Sequence, residues 1–234
     1  MIEISNLSKR YGKQVVVDDL SLKISKGETF GFLGQNGAGK TTTIKMIVGL
    51  TRPDEGKITI GGKLVDDISA RRKIGFMPEA PYFYERLTGM EFMKFCGDLF
   101  GENNRSESEY EDILKMTGIF DAKDKAIGKY SKGMKQRLGF AQTLVNDPDY
   151  IFLDEPLDGL DPLGRKEIKK IIKTLQGNGK TIFFNSHILY DTEELCDRIG
   201  IIHKGRLLYA GAVKEFCQGK PLEEKFVELV EMQQ

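Results

Sequence analysis

Residues 34–41 read Gly-Gln-Asn-Gly-Ala-Gly-Lys-Thr, and no other stretch of this chain constrains its fold so tightly. The pattern Gly-x-x-x-x-Gly-Lys-[Ser/Thr] is short, so its physics carries the inference. Glycines let the backbone curl into a nest of inward-pointing N–H groups, and those donors, with the N-terminus of a following helix, attract phosphate. Lys40 adds a point charge for the β- and γ-phosphates of a nucleoside triphosphate, and the Thr41 hydroxyl is placed to hold Mg²⁺. The flanks fit this reading. Residues 28–33, Glu-Thr-Phe-Gly-Phe-Leu, read as a strand and residues 42–50 as a helix, and strand, loop, helix is the setting the mechanism requires.

The 234 residues suffice for one large domain or two small ones with a sizeable core. Lys plus Arg and Asp plus Glu both number 35, so no overall basic field exists to hold nucleic acid. Cys96, Cys196 and Cys217 are odd in number, widely spaced and form no Cys-x-x-Cys pair, which points to buried free thiols in a reducing compartment. There is no apolar run of about 18 residues and no basic-then-apolar start, so the chain is expected to be soluble and cytoplasmic.

Residues 1–5 and 15–24 alternate apolar and polar side chains around a turn at 11–14, the signature of an antiparallel pair. A further strand is expected at 57–60, after a turn at 51–56. From about residue 85 to 144 the strand signal fades. Apolar residues there recur at helical spacing, as at Phe92, Phe95, Cys96, Leu99 and Phe100, then Ile113, Leu114, Met116 and Ile119, with a capped helix start at Ser106. Strands return at 150–153, 181–185 and 199–203, separated by a helix over 163–175, and residues 221–234 read as a charged amphipathic helix. Strands alternating with helices imply a parallel sheet. The fold expected is α/β: a P-loop NTPase core on a parallel sheet, an N-terminal antiparallel β-subdomain, and an inserted helical subdomain.

Asp154 and Glu155 close the apolar strand at 150–153 and are followed at once by Pro156. An Asp at the end of a buried parallel strand beside a phosphate loop is where a Mg²⁺-organising carboxylate belongs. Glu155, one residue on, points elsewhere and is a candidate to polarise a water for attack on the γ-phosphate. His187 lies just past another strand end and is the second candidate catalytic group, whereas His203, inside a strand, reads as structural. Ser131 and Gly133 open a helix and form a second N-terminal anion site; spacing alone does not separate this from an ordinary helix cap.

Together these residues resemble the nucleotide-binding subunits of ATP-binding cassette (ABC) transporters, over essentially the whole chain and with six motifs in order. Gly34, Gln35, Asn36, Gly37, Ala38, Gly39, Lys40 and Thr41, with Thr42 beyond them, match the first nucleotide motif. Tyr130, Ser131, Lys132, Gly133 and Met134 match the family signature, and residues 151–154 the second nucleotide motif with Glu155 as general base. Leu160 and Asp161 match the loop that crosses the dimer interface, His187 the switch histidine, and Tyr11 the aromatic that stacks on adenine. The resemblance implies one cassette, with a β-subdomain and RecA-like core over 1–84 and 145–234 and a helical subdomain over about 85–144. It implies ATP and Mg²⁺ as ligands, with Thr41, Glu79 and Asp154 at the metal. It also implies a head-to-tail dimer in which Ser131, Lys132, Gly133 and Met134 cap the partner's ATP, a separately encoded integral membrane permease, and a place on the inner face of the cell membrane.

Two departures sharpen this. The usual Leu-Ser-Gly-Gly-Gln has Tyr130, Lys132 and Met134 in place of three residues, and the usual glutamine near the metal is Glu79, which binds a cation but donates no hydrogen bond. Both resemble the exporter-type branch, which serves drugs, peptide antibiotics, ions and cell-envelope components, as does the ending at 222–229. The Lys132 ammonium is expected to strengthen the cap on the γ-phosphate. The alternative is a non-transport cassette ATPase acting on DNA or the ribosome; such relatives usually carry a long coiled-coil insertion or two fused cassettes, and zero net charge disfavours it.

Overall fold

The computed structural model describes residues 1–101 and 105–233, so Gln234, the last residue of the expected C-terminal helix, lies outside the described residues. The alternating N-terminal segments form β1 (Ile2–Tyr11) and β2 (Gln14–Ile24), paired antiparallel from Ile2 opposite Ile24 to Tyr11 opposite Gln14. After β3 (Thr29–Leu33), β4 (Glu55–Ile60) joins the other edge of β1 and the two-residue β5 (Lys63–Leu64) joins β4, giving a four-stranded sheet in the order β2-β1-β4-β5.

β3 belongs to a second sheet with β6 (Ile74–Met77), β7 (Tyr150–Asp154), β8 (Thr181–Ser186), β9 (Arg198–His203) and β10 (Arg206–Ala212), in the order β10-β9-β3-β8-β7-β6. Its pairings are parallel except for β10 on β9. β3, β7 and β8 are buried at every residue, which explains their unbroken apolar runs. Phe30, Phe32, Phe152 and Phe183 face one side. There they meet Ile44, Met46 and Ile47 of α1 (Lys40–Ile47) and the inner face of the antiparallel sheet. Leu33, Ile151, Leu153, Ile182 and Phe184 face the other side, under the helices from residue 89 onward.

Phe183 is the hub of the first face, with ring centroids 5.9 Å from Phe30, 5.5 Å from Phe32 and 5.9 Å from Phe152. Phe183→Ala is expected to destabilise the fold by about 3–5 kcal/mol, through lost transfer energy and a cavity between two sheets that cannot collapse. Urea denaturation checks this as a lower midpoint at an unchanged slope.

The remaining helices are α2 (Ile68–Arg71), α3 (Gly89–Phe100), α4 (Glu107–Met116), α5 (Lys132–Thr143), α6 (Pro162–Gly177), α7 (Leu189–Leu195), α8 (Val213–Cys217) and α9 (Leu222–Glu231). Ser106 caps the start of α4 as the sequence predicts, its backbone N–H donating to Glu109 Oε2 at 2.7 Å, and Thr88 with Glu91 form a capping box at α3. Phe92, Cys96, Ile113, Leu114 and Ile119 join the core on the outer face of the parallel sheet. Phe95, Leu99, Phe100 and Met116, part of the same helical periodicity, stand 37 to 71% exposed instead.

Three strands escape sequence reading. β5 has two residues, β6 has four with a glycine among them, and β10 is a half-exposed edge strand after the Lys204-Gly205 turn. Helix α1 begins at Lys40, two residues before the expected Thr42, so Lys40 and Thr41 both lie in its first turn. All three cysteines are buried and unpaired. Among the described residues no helix is long and apolar enough to cross a membrane.

Because β3, β7 and β8 run parallel, their C-terminal ends share one edge of the sheet, the edge at which open α/β sheets bind ligands. Leu33 leads into the glycine loop, Asp154 ends β7 and Ser186 ends β8, so three distant segments converge there.

Candidate active site

The loop from β3 to α1 turns on Gly37 at φ +80° and Gly39 at φ +111°, a backbone conformation that side chains strain against. At Gly39 space forbids a side chain as well, since a Cβ would stand 2.6 Å from the Val16 carbonyl oxygen of β2. The Lys40 side chain folds back beneath the loop and is 6% exposed. Its Nζ donates to the Gly34 carbonyl at 2.7 Å and the Gln35 carbonyl at 3.4 Å, and lies 3.4 Å from Glu155 Oε1. The Thr41 hydroxyl donates to Asp154 Oδ1 at 3.3 Å, which joins the first turn of α1 to the end of β7.

Asp154 is 1% exposed. Burial pushes its carboxyl above the ordinary aspartate value; hydrogen bonds from Asn185 and Thr41 oppose that rise, and the charges of Glu79 and Glu155 add to it. Glu155 has φ +50°, a left-handed conformation for a non-glycine residue. Its Oε2 accepts from the His187 backbone N–H at 3.2 Å and lies 2.9 Å from His187 Nδ1, whose ring Nε2 is 3.8 Å from Asp158 Oδ1. Lys40, Glu155, His187 and Asp158 therefore form one chain of charged and hydrogen-bonding groups at the mouth of the loop.

That mouth is a cleft of roughly 350 Å³. Gln35, Asn36, Gly37, Gly39, Lys40, Thr41, Thr42, Glu79, Glu155 and His187 line it as expected from sequence, and Val16 and Asp158 line it as well. Gly34 takes part through its carbonyl, whereas Ala38 is buried against the sheet. Tyr11, at the end of β1, lies outside the lining; its ring is half-exposed, with the Lys9 ammonium 5.6 Å from its centre.

The second anion motif is not brought to this cleft. Ser131 N-caps α5, its hydroxyl accepting from the Met134 N–H at 3.3 Å. A Cβ added to Gly133 meets nothing in the chain, and the Lys132 ammonium fills the space where a Cβ on Gly159 would stand. Leu160 is buried, and Asp161 caps α6 by accepting from the Gly164 N–H at 2.7 Å.

Sequence reasoning missed two polar members of the site. Asp158 sits in the turn after Glu155, a position with no pattern of its own. Asn185 is fully buried next to the last residue of β8, and its signal was an amide directly after the apolar run at 182–184, two residues before His187.

A glycine loop between a parallel strand and a helix, with a buried carboxylate closing the next strand but one, defines a P-loop NTPase fold of α/β class. The family model described as "ABC transporter" matches residues 17–158, and the chain belongs to that family. An uncharacterized ABC transporter ATP-binding protein of Synechocystis is 48% identical over 84% of this chain, and the chain spans 56% of that relative's length. The bacitracin transport ATP-binding protein BcrA of Bacillus licheniformis is 42% identical over 89% of this chain and 68% of its own. The lantibiotic transport ATP-binding protein SrtF of Streptococcus pyogenes is 38% identical over 97% of this chain and 96% of its own. A solved structure of an ATP-binding subunit of an ABC transporter superposes with a TM-score of 0.88 at 33% identity, covering 98% of this chain and 99% of that one.

Proposed function

We propose that this chain is the ATP-hydrolysing subunit of an ABC exporter, working as a head-to-tail dimer on a separate membrane permease. The observation that carries the reading is the Lys40–Glu155–His187 chain at the mouth of the glycine loop. ATP enters with its β- and γ-phosphates on the loop N–H groups and Lys40, and the half-exposed Tyr11 is assigned to stack on adenine. Phosphate competes with Glu155 for the Lys40 ammonium, which frees the carboxylate to take a proton from the attacking water. His187 holds Glu155 through its backbone N–H and ring and faces the γ-phosphate.

Mg²⁺ fits the donor set. Among the described residues no cluster of three His, Cys, Asp or Glu side chains stands ready to hold a metal alone. Thr41 and Asp154 offer two hard oxygens 3.3 Å apart, with Glu79 nearby, and Mg²⁺ ordinarily completes its shell with phosphate oxygens and water. Asp154, held above its usual protonation range by burial and two neighbouring carboxylates, is a group that a cation would suit. When bound, the ion would neutralise charge on the phosphates.

One chain supplies half of the enclosure. Ser131, Lys132, Gly133 and Met134 do not line their own cleft, and on this reading they cap the nucleotide of a second copy, with Leu160 and Asp161 at the crossing. Near Glu79, Tyr82, Tyr84, Phe95, Leu99 and Phe100 form an exposed apolar surface, Tyr84 packing edge-on against Phe95 at 5.3 Å, which suits a helix of the permease. On this reading the chain works in the cytoplasm, on the inner face of the membrane. Glu79 in place of glutamine and likeness to a bacitracin and a lantibiotic transport ATP-binding protein support the export reading. A cassette acting on DNA or the ribosome has no observation in its favour.

Complementation tests the composite site. A Lys40→Ala chain has a defective loop and an intact cap. A Gly133→Glu chain has an intact loop and, because a side chain at 133 meets nothing in its own fold, a normally folded but obstructive cap. Each alone is expected to hydrolyse no ATP, and the mixture to recover hydrolysis, since a mixed dimer holds one intact loop facing one intact cap. Phosphate release with Mg²⁺ and ATP reads this; a mixture as inactive as its components counts against the head-to-tail site.

A further inference from the structure

Asn185 stands between the two carboxylate residues of the site and bonds to both. It is fully buried in β8, opposite Asp154 in the parallel ladder with β7. Its Nδ2 donates to Asp154 Oδ1 at 2.6 Å, and its Oδ1 accepts from the Glu155 N–H at 2.8 Å, with its own carbonyl 3.3 Å from the same N–H. Only one orientation of the amide satisfies both partners, because a carboxylate accepts and a backbone N–H donates. Aspartate or a hydroxyl at this position would satisfy the pair less completely.

Glu155 needs such a hold. A non-glycine residue at φ +50° persists only where its surroundings over-determine it. The peptide before Glu155 is held by Asn185, and the carbonyl of Pro156 after it accepts from buried Gln136 Nε2 at 2.8 Å. Between these two anchors the left-handed turn aims the carboxylate at Lys40 and His187 rather than along the strand.

We propose that Asn185 is a positioning residue for ATP hydrolysis, fixing the Glu155 backbone in the turn that aims its carboxylate. This rests on reading Glu155 as the general base. The test uses the full chain with Asn185→Leu and Asn185→Ser, each alone and combined with Glu155→Gln. Steady-state hydrolysis, binding of a fluorescent ATP analogue in EDTA, and thermal melting are followed. Asn185→Leu is expected to lower kcat by about 10- to 100-fold, the usual loss when an outer partner of a reactive group is removed. Analogue binding and KM for ATP stay at the wild-type values, and Asn185→Ser falls between. In the Glu155→Gln background neither substitution slows the residual rate further, because the group they position is already gone. Should Asn185→Leu not fold, Asn185→Ser carries the same comparison.

Wild-type kcat in both variants overturns the proposal, as does a raised KM at unchanged kcat, or an equal fractional loss in the Glu155→Gln background. A Glu155→Gln chain that hydrolyses at the wild-type rate overturns the reading of Glu155 and the proposal with it. A slowed Glu155→Gln beside an unaffected Asn185→Leu overturns the proposal alone.

Discussion

Glu155→Gln lowers steady-state ATP hydrolysis by about 10²- to 10⁴-fold, the range that removing a positioned general base commands, and leaves ATP binding in place. The amide has the size of the carboxylate and keeps an oxygen to accept from the His187 N–H, 3.2 Å away in the native site. It has no lone pair basic enough to take a proton from water. Lys40 loses a counter-charge at 3.4 Å but keeps the Gly34 and Gln35 carbonyls, so the loop stays formed. With closure intact and hydrolysis blocked, ATP-bound dimers accumulate. Phosphate release and light scattering with Mg²⁺ and ATP measure the two halves of this result. A variant that turns over at the wild-type rate removes Glu155 from the mechanism.

Lys40→Ala acts one step earlier and weakens binding. A hydrogen bond to a charged group contributes about 1.5–3 kcal/mol, so losing the ammonium from the β- and γ-phosphates weakens ATP by about 10²-fold or more. The change also strips the resting site of its cation. Glu155, 7% exposed, is left with only His187, so the nucleotide-free variant melts at lower temperature than the wild type. The drop is smaller than for a sealed ion pair, because the cleft admits water. Equilibrium binding of a fluorescent ATP analogue separates the two variants: Glu155→Gln retains it and Lys40→Ala does not. Affinity within a few-fold of wild type for Lys40→Ala contradicts the assigned phosphate contact.

The parts of this site that are local in sequence were legible there. Eight consecutive residues specify the loop, Lys40 and Thr41 follow from it, and Asp154 and Glu155 announce themselves at the end of an apolar strand. The parts that depend on register were not. Asn185 acquires its partners only because β7 and β8 pair with Asp154 opposite Asn185, and nothing within residues 181–187 contains that alignment. Asp158 reaches His187 through a turn whose path is set by Glu155 at φ +50°.

The helical segment shows a different limit. Phe95, Leu99 and Phe100 obey the same spacing as Phe92 and Cys96, yet the first three are exposed and the last two buried. Periodicity reports that a face is apolar and leaves open which body covers it. β6 went unseen because four residues with a glycine are too few to establish any period, although burial between α5 and β7 makes it a full member of the sheet.

The pairing of Lys40 with Glu155 has a consequence for the thermodynamics of filling the site. The chain carries its own counter-anion, so phosphate arrives by exchange with a carboxylate and not by addition to a bare ammonium. The cleft gains less net attraction than the lysine alone would give, and part of the gain is returned as the energy of separating the resident pair. In return the empty pocket holds no unsatisfied cation to gather stray anions from a cell full of them. On the proposed function, selectivity for a triphosphate begins with that internal competitor.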